Sequence, residues 1–239
     1  MIKRLFFGFS LAEVMISMAI VGVIAAMTIP VVISNHQRQI MLTQIQKNYS
    51  DFEQTLSILQ AEHLSKGLYA SVLNKKAGKT IAQTAGVFLV GDDDNEPYFK
   101  VKRDCGTTAQ PCFAASYRTI ANTSTVTTFT CNTGYNVTLL NGAAVCIIPA
   151  EIEADINGVT AHPATVYIDV NGAEDPNIGG RDLFTFNIYN DYTIDEVDPA
   201  LASATKNTTR TTLMADCTKS ALGTGCFSKL LNDNWKMNY

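Results

Sequence analysis

Gly8-Phe9-Ser10-Leu11-Ala12-Glu13, followed by the apolar run from Val14 to Ile33, is the stretch on which the reading of this chain turns. No Asp, Glu, Lys or Arg occurs from Val14 to Gln37. At 1.5 Å per residue, about 20 apolar residues cross the roughly 30 Å hydrocarbon core of a bilayer. Val14 to Ile33 meets that length, so the segment reads as one membrane-spanning helix. Lys3 and Arg4 precede it, and positive-inside bias keeps that end in the cytoplasm and sends the remainder out. A cleaved secretory signal is the rival, with small residues at Ala25-Ala26 near its cleavage site. Glu13 argues against it, because a carboxylate carried to the bilayer centre costs about 2.5–3.5 kcal/mol. Lys3 and Arg4 lie on the wrong side of Glu13, and Arg38 lies beyond the apolar run. A cationic partner for Glu13 is therefore expected from another chain or from a newly made N-terminal amine.

Gly8-Phe9-Ser10-Leu11-Ala12-Glu13, with Pro30 inside the following run, resembles the N-terminus of type IV pilins and type II secretion pseudopilins. The resemblance covers roughly residues 1 to 34. It implies that a membrane prepilin peptidase cuts after Gly8 and N-methylates the new first residue, Phe9. It also implies that Glu13 meets the amine of a neighbouring subunit during assembly, a charge left unpaired in the monomer and paired in the polymer. Gly22 and Pro30 mark a stretch of helix that the resemblance expects to melt on packing into a filament. Proline removes a helical hydrogen bond, which lipid tolerates only with compensation. Loss of residues 1–8 removes Lys3 and Arg4, taking the formal net charge from -4 to -6. Under this reading the chain is a homo-oligomer in a helical filament. Its partners are the peptidase, other pilins, the assembly machinery and the bacterial inner membrane. The final location is a periplasmic or cell-surface filament.

Composition is consistent with one anchor and a packed exterior. The 239 residues are 46% hydrophobic and 17% charged, which excludes a wholly disordered chain. The 18 Lys+Arg against 22 Asp+Glu give no basic field to attract nucleic acid. A mean hydropathy of +0.07 excludes a polytopic membrane protein.

Beyond the span, Leu42, Ile45, Tyr49, Phe52, Leu56 and Leu59 recur at alternating spacings of three and four, an apolar seam on one helical face. The spacing predicts one continuous helix to about Leu64, stopped at Lys66-Gly67. The rod would be about 80 Å long. The seam is the surface on which a β-rich head is expected to rest; a short coiled coil is the alternative. The chain thus divides into 1–8 leader, 9–35 membrane and filament-core helix, 36–65 amphipathic continuation and 66–239 extracytoplasmic head. The fold class is α+β, with an antiparallel sheet packed on the helix. Val87 to Val90 is the candidate first strand. Further strands are expected at 98–102, 126–130, 137–140, 144–148, 165–170 and 183–189. Asn141-Gly142 predicts a two-residue hairpin, which sets Val137 opposite Cys146. Abundant threonine over 119–138 and 205–212 suits exposed strands and loops. The tail from Cys226 to Tyr239, with the single tryptophan Trp235, reads as a buried final strand. A receptor-contacting tip is the other reading of that tail.

Six cysteines stand at 105, 112, 131, 146, 217 and 226, an even count on the predicted outer side, which suggests disulfides. Fifteen connectivities are open. Sequential pairing, Cys105–Cys112, Cys131–Cys146 and Cys217–Cys226, is the expectation, although the predicted hairpin makes the middle bridge awkward. Their spacing and the scattered His36, His63 and His162 leave no zinc site. Asp169, Asn171, Asp175 and Asp182 concentrate oxygen ligands in one loop, which offers a hard cation such as calcium the six to eight oxygens it requires. The loop is not an EF-hand, since Ala173 takes its fifth position. Some major pseudopilins hold calcium in C-terminal loops; a bare turn is the competing reading. No other cofactor is implied. Asp92-Asp93-Asp94-Asn95-Glu96 reads as a solvated loop, as does the cluster Lys75, Lys76 and Lys79. Gly78-Lys79-Thr80 echoes the end of a phosphate-binding loop but lacks its earlier glycine, Leu73 standing there. No nucleophile elbow or triad is present, so the chain is read as a structural subunit, not an enzyme. The size of the head favours a pilus subunit over a type II secretion or competence pseudopilin. A monomeric membrane-anchored binding module is the rival of a different class.

Overall fold

The computed structural model describes residues 8, 10–62, 67–76, 78–122, 124–151, 164–199 and 201–239. Helix α1 spans Leu11–Glu62. The chain forms two units, divided between Ile40 and Met41. In the first, large apolar side chains from Leu11 to Ile33 are exposed all round the helix. Only a bilayer or other apolar helices can cover such a surface. The helix continues through Gly22 and Pro30. Pro30 brings no N–H to the carbonyl four residues back, so this turn is held by fewer hydrogen bonds than its neighbours.

In the second unit the predicted seam is the buried face of α1. Leu42, Ile45, Phe52, Leu56 and Leu59 are buried, and Tyr49 is half-buried. They pack on the inner face of a six-stranded antiparallel sheet in the order β1-β4-β5-β6-β7-β8. The strands are β1 Val101–Gly106, β4 Tyr135–Leu139, β5 Ala144–Pro149, β6 Ala164–Asp169, β7 Leu183–Ile188 and β8 Ile194–Asp195. Val137, Val145, Ile147, Val166, Ile168, Phe184 and Phe186 share one core with the seam. Phe52 stacks edge-on to Phe186 with ring centroids 5.5 Å apart.

The opposite face of the sheet is also covered. The chain between β1 and β4 forms a small hairpin, β2 Ser116–Arg118 and β3 Val126–Thr128. Its Phe113, Tyr117 and Phe129 make a second core with Ala144, Cys146 and Leu183. Burial on both faces explains why β5 reads as a continuous apolar run, not an alternating one. Disulfides join Cys105 to Cys112, Cys131 to Cys146 and Cys217 to Cys226. The first two tie this second layer together and to β5.

Four readings of the sequence are corrected. Val87–Val90 is helix α2, not a strand. The chain enters it through a π-turn at Ala82–Gly86, begun where Thr80 and Gln83 cap each other. The β4–β5 loop has three residues, Leu140-Asn141-Gly142, with Gly142 at φ 94°. A three-residue loop ending in a left-handed glycine displaces the register by one, so Asn136 stands opposite Cys146. Threonines 205–212 lie in helix α3, Ser203–Asp216. Their β-propensity is offset by hydroxyls donating to carbonyls one turn back, as from Thr208 to Ala204 and Thr212 to Thr208. The tail is helix α4, Cys226–Asn232, not a strand. Phe227 and Leu230, three apart, bury one helical face, and Trp235 follows in a left-handed turn at φ 57°.

Gly134 is needed by the middle disulfide. A Cβ there would lie 2.4 Å from Cys146 Sγ and 2.9 Å from Cys131 Sγ. Gly134→Ala is expected to leave those two cysteines reactive to thiol labelling and to destabilise the head by roughly 3 kcal/mol. Full oxidation with an unchanged melting point would contradict this.

Candidate functional site

The first turn of α1 is closed by a reciprocal cap. Ser10 precedes the helix; its N–H and hydroxyl donate to Glu13 Oε2 at 2.8 and 2.9 Å. The Glu13 N–H donates to Ser10 Oγ at 3.3 Å. This is the capping box Ser-x-x-Glu, which satisfies otherwise orphaned helix donors. A search for a cation alone overlooks this partner, although the Ser10-x-x-Glu13 spacing signals it. The cap satisfies hydrogen bonds but leaves a full negative charge at the mouth of an apolar helix. Gly8 is among the described residues, while Phe9, the expected methylation position, lies outside them.

In the head, buried carboxylates join elements that the sequence separates. Tyr117 on β2 donates its hydroxyl to Asp169 at the end of β6, fixing the second layer to the sheet. Asp182, just before β7, accepts the N–H groups of Ile178 and Leu183 at 2.8 and 2.9 Å. Burial pushes both acids above the usual carboxylate range, and the charge of Asp182 raises Asp169 further. Glu196 reaches across to α4, accepting from Gly225 N at 2.6 Å and Ser228 N at 2.7 Å. It therefore caps a helix some 30 residues away in sequence. Burial pushes Glu196 up to about 7 despite those two donors. Its neighbour Asp195 pairs with Arg210, which fastens α3 to β8.

In the loop expected to hold calcium, several side chains are engaged by the chain's own donors and acceptors. Asp169 and Asp182 are buried together, but both oxygens of Asp169 are engaged, by Tyr117 and by the N–H of Asn171. Asp175 is exposed and accepts from Asn177 Nδ2 at 3.0 Å. Asn171 spends its amide on the carbonyls of Glu174 and Asp175. Asn171 Oδ1, Asn177 Oδ1 and Asp182 Oδ2 are buried acceptors without donors. Among the described residues, no group of three or more His, Cys, Asp or Glu side chains is placed to hold a metal ion. Thr80 in Gly78-Lys79-Thr80 serves as the cap described above. His36 lies on the exposed part of α1, while His63 and His162 fall outside the described residues.

Residues 3–29 match the family described as the prokaryotic N-terminal methylation motif, the signature of type IV pilin and pseudopilin precursors. No curated protein and no solved structure matches the chain. The motif and the exposed apolar helix thus mark a pilin-like precursor, fit for membrane anchoring and for processing by prepilin peptidase. They point to a structural subunit. The motif ends at residue 29, within the first part of α1.

The buried acids set a pH dependence. The folded chain holds these protons more tightly than the unfolded chain does. The associated stability is complete below the ordinary carboxylate range and is lost as pH rises, for Glu196 between about 4.5 and about 7. Asp182→Asn keeps an acceptor for both N–H groups and removes the charge beside Asp169. In thermal unfolding of the detergent-solubilised full chain, it is expected to leave the midpoint unchanged near about pH 4 and to raise it by several degrees near about pH 8. A lower midpoint near pH 8 would mean that a cation neutralises the pair.

Proposed function

We propose that this chain is a precursor subunit cut after Gly8, methylated on Phe9 and polymerised through α1 into a type IV pilus or related filament. The observation that carries this reading is the apolar helix exposed all round, with one capped carboxylate at its mouth. In lipid the apolar surface is covered, but the carboxylate has no countercharge. In a bundle of identical helices the same surface is covered by neighbours, and the amine created at Phe9 supplies the countercharge. Extraction from the bilayer is thereby offset by helix packing and by neutralising Glu13. A stretch already short of a hydrogen bond at Pro30 is the cheapest part of the helix to unwind as subunits pack. The size of the head favours a surface pilus over a secretion or competence pseudopilus.

Mass spectrometry of the native N-terminus tests the processing step. The expected species begins at methylated Phe9, and an intact Met1 or a cut near Ala26 overturns the reading. Glu13→Gln tests the role of charge, because glutamine preserves the capping box and removes only the negative charge. The variant is expected to insert and be cleaved, with its yield in the sheared-fibre fraction reduced at least about ten-fold. Fibre yield equal to that of the unchanged chain would refute charge pairing. A processed but permanently monomeric unchanged chain would favour the anchored binding module.

A further inference from the structure

The head carries a basic groove and an acidic turn, neither of which forms an ion pair among the described residues. The groove is a cavity of about 630 Å³ between the second half of α1 and the β1–β4 edge. Lys47 and Lys100 line it, opposed by Asp51, and Ile58 and Leu140 line it too. Among the described residues, the large apolar side chains exposed outside the Leu11–Ile33 segment are Ile40, Ile58, Val126 and Leu140, and two of these four converge here. A second cavity of about 330 Å³ adjoins it at Asn141, lined by Lys102, Arg103 and one acid, Glu174. A register shift between Val101 and Arg103 falls where these two cations lie along the edge strand. Asn141 itself is fixed, donating to Asn48 Oδ1 on α1 at 2.8 Å.

The acidic turn lies just before this edge in sequence. Asp92 Oδ1 accepts from the N–H groups of Asp94 and Asn95 at 3.0 and 2.8 Å and from Asn95 Nδ2 at 2.8 Å. That closes the loop and leaves Asp93, Asp94 and Glu96 exposed, followed by exposed Pro97. Lys79 is the cation felt by Asp92. The ion pairs among the described residues are Arg210–Asp195, Lys219–Asp216 and Lys229–Asp233, so neither the groove nor the turn contributes to one.

We propose that the groove between α1 and the β1–β4 edge receives the Asp92–Glu96 turn of a second copy of this chain. The inference rests on the filament reading above. A polymer grown by a screw operation joins two different patches of each subunit, and these patches must be complementary. Lys47, Lys100, Lys102 and Arg103 against Asp92, Asp93, Asp94 and Glu96 supply that complementarity, while Pro97 meets the apolar floor at Ile58 and Leu140. The turn is already closed in the free chain, so little ordering is lost on docking. A peptide added in β-fashion to the β1 edge fits less well, because Lys100, Lys102, Arg103 and the register shifts blunt that edge.

The test is a charge swap in the full chain, with sheared-fibre yield as the readout. K100E/K102E/R103E and, separately, D93K/D94K are each expected to lower fibre yield about ten-fold, and the combined variant to restore it to within about two-fold. Oxidised cysteine content and melting point of each variant report on folding. Fibres insensitive to both reversals overturn the inference while leaving the filament reading intact. Loss in the basic variant that the swap fails to restore also overturns it and indicates another anionic partner, such as a lipid headgroup. Absence of fibres from the unchanged chain is failure of the filament reading itself.

Discussion

The apolar seam of α1 from Leu42 to Leu59 sets the position of everything in the head. A β-sheet with one apolar face must bury it, and here the cover is a helix face built from residues three and four apart. Phe52 lies at the centre, against Phe99 on one side and Phe186 on the other. The hairpin loop is brought to the same helix by the Asn141–Asn48 hydrogen bond. The second layer then follows from the sheet, since Cys146 and Ala144 project from the far face and need a cover of their own.

The helix and the sheet were largely legible because both rest on local periodicity. The seam repeats with the helical period, and β5, β6 and β7 are apolar runs bounded by turn residues. The one-residue slip at Cys146 shows how narrow that legibility is. Whether the loop holds two residues or three depends on where the positive φ falls, and Gly142 alone does not say. α2 and α4 were misread because short apolar runs do not separate helix from strand. The Thr80-x-x-Gln83 spacing marks the first, and the three-residue spacing of Phe227 and Leu230 marks the second. α3 was misread through threonine, whose β-propensity yields when hydroxyls bond back along a helix.

The connections that fasten the head left no local trace. Tyr117 meets Asp169 across 52 residues, and Glu196 caps α4 across 32. Neither pair could have been read from local sequence, since the partners lie so far apart along the chain. At the other end of the chain, the Ser10–Glu13 cap was legible in principle. A carboxylate in an apolar context draws attention to its missing cation, and the hydrogen-bond partner three residues back is easily passed over. The two requirements are distinct, and the cap meets only one of them.

The three disulfides close loops of 7, 15 and 9 residues in sequence, and none encloses or crosses another. A chain threaded outward from its anchored end would expose each cysteine and then its proper mate before the following pair emerged. In that order of arrival, pairing each cysteine with the next one to emerge would give these three bonds without breaking and reforming any of them.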